Sequence, residues 1–197
     1  MRIPFSDFLI NHFGKTWWAP IIVRSISSFI EREERVLDIG AGGGWVGELL
    51  SEEKGAAVTL LDVADFNRSN LPLILYDGAR IPFQDNSFDT SLLLFVLHHC
   101  EDPLRVLKEA IRVAQKRIVI HEDTYTSPVS KLLTGMNDFI SNSPFFLSNP
   151  FKMNMPYNYK KVADWEHVFQ ELSLKVKFKK VTGHFITKHV LFVLEKC

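Results

Sequence analysis

The chain has 197 residues, 46% of them apolar and 23% charged, which fits one compact soluble domain with a small cap. Lys plus Arg equals Asp plus Glu at 23 each, so no global field draws in a polyanion, and nucleic acid is disfavoured as a partner. Two cysteines, Cys100 and Cys197, argue against a disulfide framework and for a reducing cytoplasm, while the longest apolar run, Leu92 to Leu97, is too short to span a bilayer.

The N-terminal MRIPFSDFLINHF lacks the uninterrupted apolar core of a secretory signal, which again suggests a cytoplasmic protein. Residues 16–32 read as a helix, with Thr16 as its cap and Ile22, Ile26, Phe29 and Ile30 at helical spacing. Aromatic stretches, Phe5–Phe13 and Trp17–Trp18, flank its start.

From residue 35 strands and helices alternate. Val36–Ile39 is a strand, Trp45–Glu53 a helix, Ala57–Leu61 and Leu73–Tyr76 two further strands. Thr90–Leu97 is apolar on both faces, as in the middle of a parallel sheet. Asp102 and Pro103 occupy N-cap and first-turn positions of a helix whose stripe is Leu104, Leu107, Ala110, Ile111 and Ala114. Arg117–Ile120 is the fifth strand. Residues 122–158 show no clear period and read as an irregular lid, with a helix around Lys131–Ile140. Val162, Trp165, Phe169 and Leu172 form a last helical stripe, followed by strands Leu174–Val181 and His189–Leu194. Lys175, Lys177 and Lys179 alternate along the first of these as a solvated face. The expected fold is an α/β, doubly wound sheet. Its expected parts are an N-terminal helical cap (1–34), a core (35–121), the lid (122–158) and a closing helix with two strands (159–197).

The turn at 40–44 carries the chemistry. Gly40, Gly42, Gly43 and Gly44 lie between a strand and a helix, where missing Cβ atoms let a ligand approach the backbone. Gly42, Gly44 and Gly47 also spell the dinucleotide fingerprint, with Asp62 twenty residues beyond Gly42. The register opposes that reading, because the first glycine after the strand is Gly40 and Trp45 then stands where the third belongs. Asp38 opposes it too, as a carboxylate beside a would-be pyrophosphate.

VLDIGAGGGWVGELL resembles the first motif of the class I S-adenosylmethionine (SAM)-dependent methyltransferases. LLDVAD, YDGARIPFQDNSFDTSLLLFVLHHCEDP and, more weakly, DWEHVF and HVLFVLEK resemble later segments in order and spacing. The resemblance implies a seven-stranded sheet of order 3-2-1-4-5-7-6 with the last strand antiparallel, SAM as cofactor, and methyl transfer to an acceptor. SAM is a sulfonium cation without phosphate, so Asp38 is no obstacle to it. The resemblance implies Asp38, Gly40, Ala41, Gly42, Asp62, Val63, Asp77, Gly78, Ala79 and Phe95 as cofactor-binding residues, with Gly40 and Ala41 near the methionine part, Asp62 on the ribose hydroxyls, Asp77 on the adenine amine and the backbone of Gly78 and Ala79 at the ring edge. Phe95 or Leu94, with Ile81, is expected to sandwich the ring. Asp65 is close enough to replace Asp62.

Two departures stand out. Only ten residues separate Asp62 from Leu73, so the usual second helix is shortened or lost. The common Lys-Pro-Gly-Gly turn before the fifth strand is absent. His98, His99 and Glu122, with His121 and Asp123, are the candidates for acid–base work, and no residue is assigned to a metal. Phe139, Phe145, Phe146, Phe151, Met153, Met155, Tyr157 and Tyr159 make the lid apolar, which favours a small hydrophobic acceptor and leaves a dimer interface or a peripheral membrane contact open. A non-catalytic SAM-binding module and a nicotinamide-dependent oxidoreductase are the alternatives.

Overall fold

The computed structural model describes residues 11–142, 156–183 and 187–196. Seven strands form one sheet in the order β3-β2-β1-β4-β5-β7-β6. They are β1 Arg35–Ile39, β2 Ala57–Asp62, β3 Leu73–Leu75, β4 Phe88–Leu94, β5 Ala114–Thr124, β6 Leu174–Gly183 and β7 Lys188–Lys196. The first five pair in parallel, and β7 runs antiparallel between β5 and β6. The expected order and the antiparallel last strand are both found.

Among the described residues five α-helices accompany the sheet: α1 Ala19–Ile26, α2 Trp45–Lys54, α3 Pro103–Val113, α4 Pro128–Ser141 and α5 Val162–Glu171. Alternate strand residues point to opposite faces. Leu37, Ile39, Leu61, Leu93, Ile118, Ile120 and Phe192 accordingly join Leu107 of α3 and Trp165 and Phe169 of α5 in one core. Val36, Leu60, Leu92, Leu94, Val119 and Val193 join Ile22 and Ile26 of α1 and Trp45 and Leu50 of α2 in the other. Covering both faces is what lets β4 be a nearly continuous apolar run. Asp102 caps α3 as expected, its carboxylate accepting from Arg105 N at 3.0 Å.

Several boundaries differ from the sequence reading. The N-terminal helix does not start at Thr16. A π-helical turn, Gly14–Trp18, leads into α1, and the Thr16 hydroxyl donates back to the His12 carbonyl instead of capping. After Ile26 the chain tightens into a short 3-10 turn, Ser27–Phe29. β4 stops at Leu94 because Phe95 has φ +56°, which breaks the extended run, and Leu97–His99 is a 3-10 turn. β5 continues past Ile120 to Thr124, so residues 121–124 belong to the sheet, and 122–124 are not part of a lid. Their partners are Leu191, Val190, His189 and Lys188 of β7. The helix expected near 131–140 is α4, with a Ser127–Ser130 capping box. Phe145, Phe146, Phe151, Met153 and Met155 lie outside the described residues, as do Phe5 and Phe8. No helix among the described residues is long and apolar enough to cross a membrane.

The second crossover has no helix. Residues 63–72 run from β2 to β3 as a loop fastened to the start of α2. Asn70 donates from its backbone N and from Nδ2 to Glu48 Oε1 at 3.1 and 2.8 Å, and Lys15 Nζ meets Glu48 Oε2 at 2.8 Å. Arg68 N donates to the Gly43 carbonyl at 3.1 Å.

Candidate functional site

The Gly-rich turn lies where the carboxyl ends of β1, β2 and β4 meet, at the point where strand order reverses. Gly40 N and Ala41 N both donate to the Leu61 carbonyl at 2.8 and 3.2 Å, so the ladder to β2 runs one step past the strand. Gly44 N donates to the Ala41 carbonyl at 2.9 Å and closes the turn onto α2. Gly40, Gly42 and Gly44 have φ of +72°, +53° and +73°, a region that costs a side-chain-bearing residue about 1–2 kcal/mol. A Cβ at Gly40 would sit inside the Val96 side chain, whereas one at Gly42 meets nothing within 4 Å. Gly42 therefore faces an open cleft.

Two buried carboxylates back this turn. Asp38, 2% exposed in the middle of the sheet, receives no hydrogen bond on its carboxylate among the described residues. Burial, then the neighbouring charge of Asp62, pushes its pKa up to about 7. Asp62 ends β2 and accepts from Gly42 N at 2.9 Å on Oδ2 and from Val63 N and Ala64 N at 2.7 and 3.3 Å on Oδ1. Burial raises its pKa against those three bonds. Asp65, the alternative to Asp62, is exposed, and its Oδ1 receives Asn67 N at 3.2 Å.

Val63 is 60% exposed, and a Cβ on Gly78 (φ +74°) would lie 3.2 Å from its Cγ1, so these two backbones stand side by side. Asp77 beside them is exposed and folds its Oδ1 back onto Ala79 N and Arg80 N at 2.8 and 3.0 Å, which lowers its pKa. Its Oδ2 has no donor among the described residues. The structure thus gathers Asp38, Gly40, Ala41, Gly42, Asp62, Val63, Asp77, Gly78 and Ala79 along one edge. Phe95 is placed elsewhere. Its left-handed backbone turns the ring toward Trp18, His121 and His189, at centroid distances of 6.2, 4.5 and 5.5 Å. Ile81 is buried in the opposite core, so the two do not form a sandwich.

The acid–base candidates assemble beyond β4. Glu122 Oε1 accepts from Val96 N and Leu97 N at 2.8 and 2.7 Å, and Oε2 lies 2.6 Å from His98 Nδ1. Burial opposes charge on His98, but Glu122 first and Asp138 next outweigh it and push its pKa to about 10. Burial and then the His98 charge push His99 down to about 4. His121 also falls to about 4 through burial and then His189, whose Nδ1 is 2.6 Å from Asp123 Oδ1.

Asp138 was not anticipated from sequence. It sits on the inner face of α4 one turn after Thr134, both buried on a helix whose outer face is apolar. Tyr159 OH and Asn142 Nδ2 donate to its two oxygens, each at 2.8 Å, and Tyr159 stacks on His98 at 4.9 Å. Tyr159 also lines a cavity of about 640 Å³ with Leu132, Gly135, Met136, Phe139 and Tyr157. The described part of the lid thus joins an apolar wall to the polar cluster.

Residues 37–117 match a methyltransferase domain family. The demethylmenaquinone methyltransferase of Paenarthrobacter aurescens is 28% identical over 145 residues, 64% of this chain and 56% of that protein. The demethylmenaquinone methyltransferase of Thermotoga maritima is 31% identical over 148 residues, 68% of this chain and 63% of that protein. The chain therefore spans less than two thirds of the length of these relatives. Magnesium protoporphyrin IX methyltransferase of Synechocystis, solved with bound S-adenosylhomocysteine (SAH), superposes with a TM-score of 0.65 at 14% identity, covering 100% of this chain and 90% of that one. The sheet order, the glycine turn and the acids at the ends of β1 and β2 thus accompany a match to a methyltransferase domain over residues 37–117.

Proposed function

We propose that the chain binds SAM in this cleft and methylates a small, hydrophobic, quinone-type acceptor. The observation that carries the reading is the open space beyond Gly42, bordered by Asp38 and Asp62. A Cβ would intrude on that space, and two adjoining buried carboxylates are better matched by a cationic ligand than by a pyrophosphate. SAM, when bound, supplies a methyl group already activated on a sulfonium.

The chain's own part is to hold and to shield. Gly40, Ala41 and Gly42 border the methionine end, with Asp38 supplying negative charge behind them. Asp62 presents the Gly42 amide and keeps lone pairs for the ribose hydroxyls. Val63 and Gly78 form the adenine edge, and Asp77 Oδ2 is left to accept from the exocyclic amine. Phe95 belongs to the acceptor side, near Trp18 and His121. Glu122 has both oxygens engaged and His98 is enclosed, so both serve to position the end of β4 against β5 rather than to move protons. The α4 wall and its cavity are of a size suited to a small apolar molecule. The names of the two relatives support a quinone-type acceptor.

Calorimetry with SAM and SAH tests the cofactor, and a radiolabelled methyl-transfer assay over short-prenyl demethylated quinols tests the acceptor. Failure of either cofactor form to bind folded protein overturns the first part. Binding without transfer to any apolar acceptor overturns the second. Thermal shift by NADH or NADPH and not by SAM would assign the cleft to a nicotinamide.

A further inference from the structure

His98, His99 and Asp138 come from two elements far apart in sequence, yet they present their ligating atoms to one point. His98 Nε2 and His99 Nε2 each lie 3.6 Å from the same oxygen, Asp138 Oδ1, and one ligating atom from each of the three residues falls within 4.8 Å of the others. At 3.6 Å neither imidazole is hydrogen-bonded to the carboxylate. His98 Nε2 is a buried nitrogen with no hydrogen-bond partner among the described residues, on a residue that is 1% exposed. An unpaired polar atom at that depth costs free energy, so its environment calls for an explanation.

The outer groups around these atoms share one orientation. Nδ1 of His98 faces Glu122 Oε2 at 2.6 Å, which fixes that ring with Nε2 turned inward. Glu122 is itself held by two backbone amides, from Val96 and Leu97. Asp138 is held by Tyr159 on Oδ2 and by Asn142 on Oδ1, so one lone pair of Oδ1 is left for the two rings. A carboxylate behind the histidine and hydrogen-bond donors behind the acid form the outer shell that orients metal ligands. In a bound site with ligand distances of about 2.1 Å, neighbouring donor atoms stand about 3.0–3.4 Å apart. The two 3.6 Å pairs need a contraction of only a few tenths of an ångström, while the two histidine nitrogens, within 4.8 Å of each other, must draw closer as the ion binds.

From this geometry we infer that His98, His99 and Asp138 form a binding site for one divalent transition ion. Two imidazoles and one carboxylate suit zinc or ferrous iron. None of its three residues belongs to the glycine turn, and the site does not depend on SAM being the cofactor.

The test uses the full chain without an affinity tag, stripped with chelator and then titrated with Zn²⁺ by calorimetry, with Co²⁺ by visible absorption, and with Fe²⁺ under anaerobic conditions. One equivalent should bind with sub-micromolar affinity, and Co²⁺ should give a ligand-field band. Zn²⁺ and Fe²⁺ affinities then decide between the two ions. Asp138→Asn and His99→Gln, each checked for fold by circular dichroism, should weaken binding tenfold or more. No saturable binding of any of the three ions by stripped wild-type protein overturns the inference, and this result needs no variant to fold. Full-affinity binding by both folded variants also overturns it, because the metal would then sit elsewhere.

Discussion

Gly42 and Asp62, twenty residues apart in sequence, are joined by a hydrogen bond of 2.9 Å from the glycine amide to the carboxylate of the second strand. That bond ties the tip of the glycine turn to the end of β2 and fixes the edge of the cleft. It also separates two glycines that look alike in sequence. Gly40 has its Cβ direction filled by Val96, whereas at Gly42 that direction is empty. Gly42→Ala should therefore cost only the left-handed backbone penalty of about 1–2 kcal/mol, with the fold retained. SAM affinity should fall tenfold or more, because the new methyl enters the cleft. Gly40→Ala should instead lose stability severely. Urea denaturation and calorimetry on the two variants separate these outcomes; equal loss of stability would refute the assignment of Gly42 to the cleft.

Asp38 gives a pH dependence with a definite sign. Unfolded, it titrates near 3.9, and in the folded chain it titrates at about 7. Between those values the folded state holds a proton that the unfolded state has released. Its contribution to stability therefore falls as pH rises through that window and levels off above about 7. Asp62, also raised, acts in the same direction. Asp38→Asn should remove this falling component, about 1.4 kcal/mol per pH unit between pH 5 and 7, so that the opposite, rising contribution of His99 and His121, both lowered to about 4, makes the unfolding free energy climb more steeply with pH in the variant. A cation bound next to Asp38 favours its ionised form, so SAM should bind more tightly at pH 8 than at pH 6. An unchanged affinity across that range would separate Asp38 from the cofactor.

Arg112 acts on the cleft from behind. Its guanidinium donates to the carbonyls of Ile81 and Phe83 at 2.9 and 2.8 Å, to Asp85 at 2.8 Å, and to both oxygens of Glu109. Glu109 in turn accepts from Ile81 N at 2.9 Å. This fork fastens the segment after Asp77 to α3. Arg112→Lys keeps the charge but cannot span these acceptors, and should cost about 2 kcal/mol. SAM binding should weaken with it, since Asp77 and Ala79 sit on the loosened segment. A stability loss with no change in affinity would show that the adenine edge does not depend on this anchor.

The parts of the fold that were legible in sequence are those whose cause is local. Apolar runs gave the strands, Asp102–Pro103 gave the start of α3, and the glycines gave the turn. The parts that were not legible have non-local causes. Residues 121–124 are polar and read as a loop, yet they form strand because β7 lies alongside and pairs with each of them. Phe95 sits in an apolar run with nothing to mark its φ of +56°. Thr16 looks like a cap, but its hydroxyl is taken by the His12 carbonyl in a helical turn that starts earlier. The site divides the same way. Asp38, Asp62 and Asp77 stand in segments that the family resemblance singles out, but Asp138 meets His98 and His99 only when α4 folds over the end of β4.

The outer face of α4 is the surface on which the proposed apolar acceptor can be tested. Val129, Leu132, Met136, Phe139 and Ile140 are all exposed, each more than 40%. This is a large apolar area for one helix, and contiguous exposed patches of this kind mark binding surfaces. Thr134 and Asp138 point the other way, into the polar cluster, so the outer positions are free to change without disturbing it. Met136→Glu and Phe139→Glu place charge on the cavity wall while removing no hydrogen bond seen in the structure. Stability should change by less than about 1 kcal/mol, and SAM affinity should be unchanged. The kcat/KM for a prenylated acceptor should fall tenfold or more, with a smaller loss for the same ring lacking its tail. Steady-state kinetics with the two acceptors makes the comparison, and an equal effect on both would remove α4 from the binding of the apolar tail.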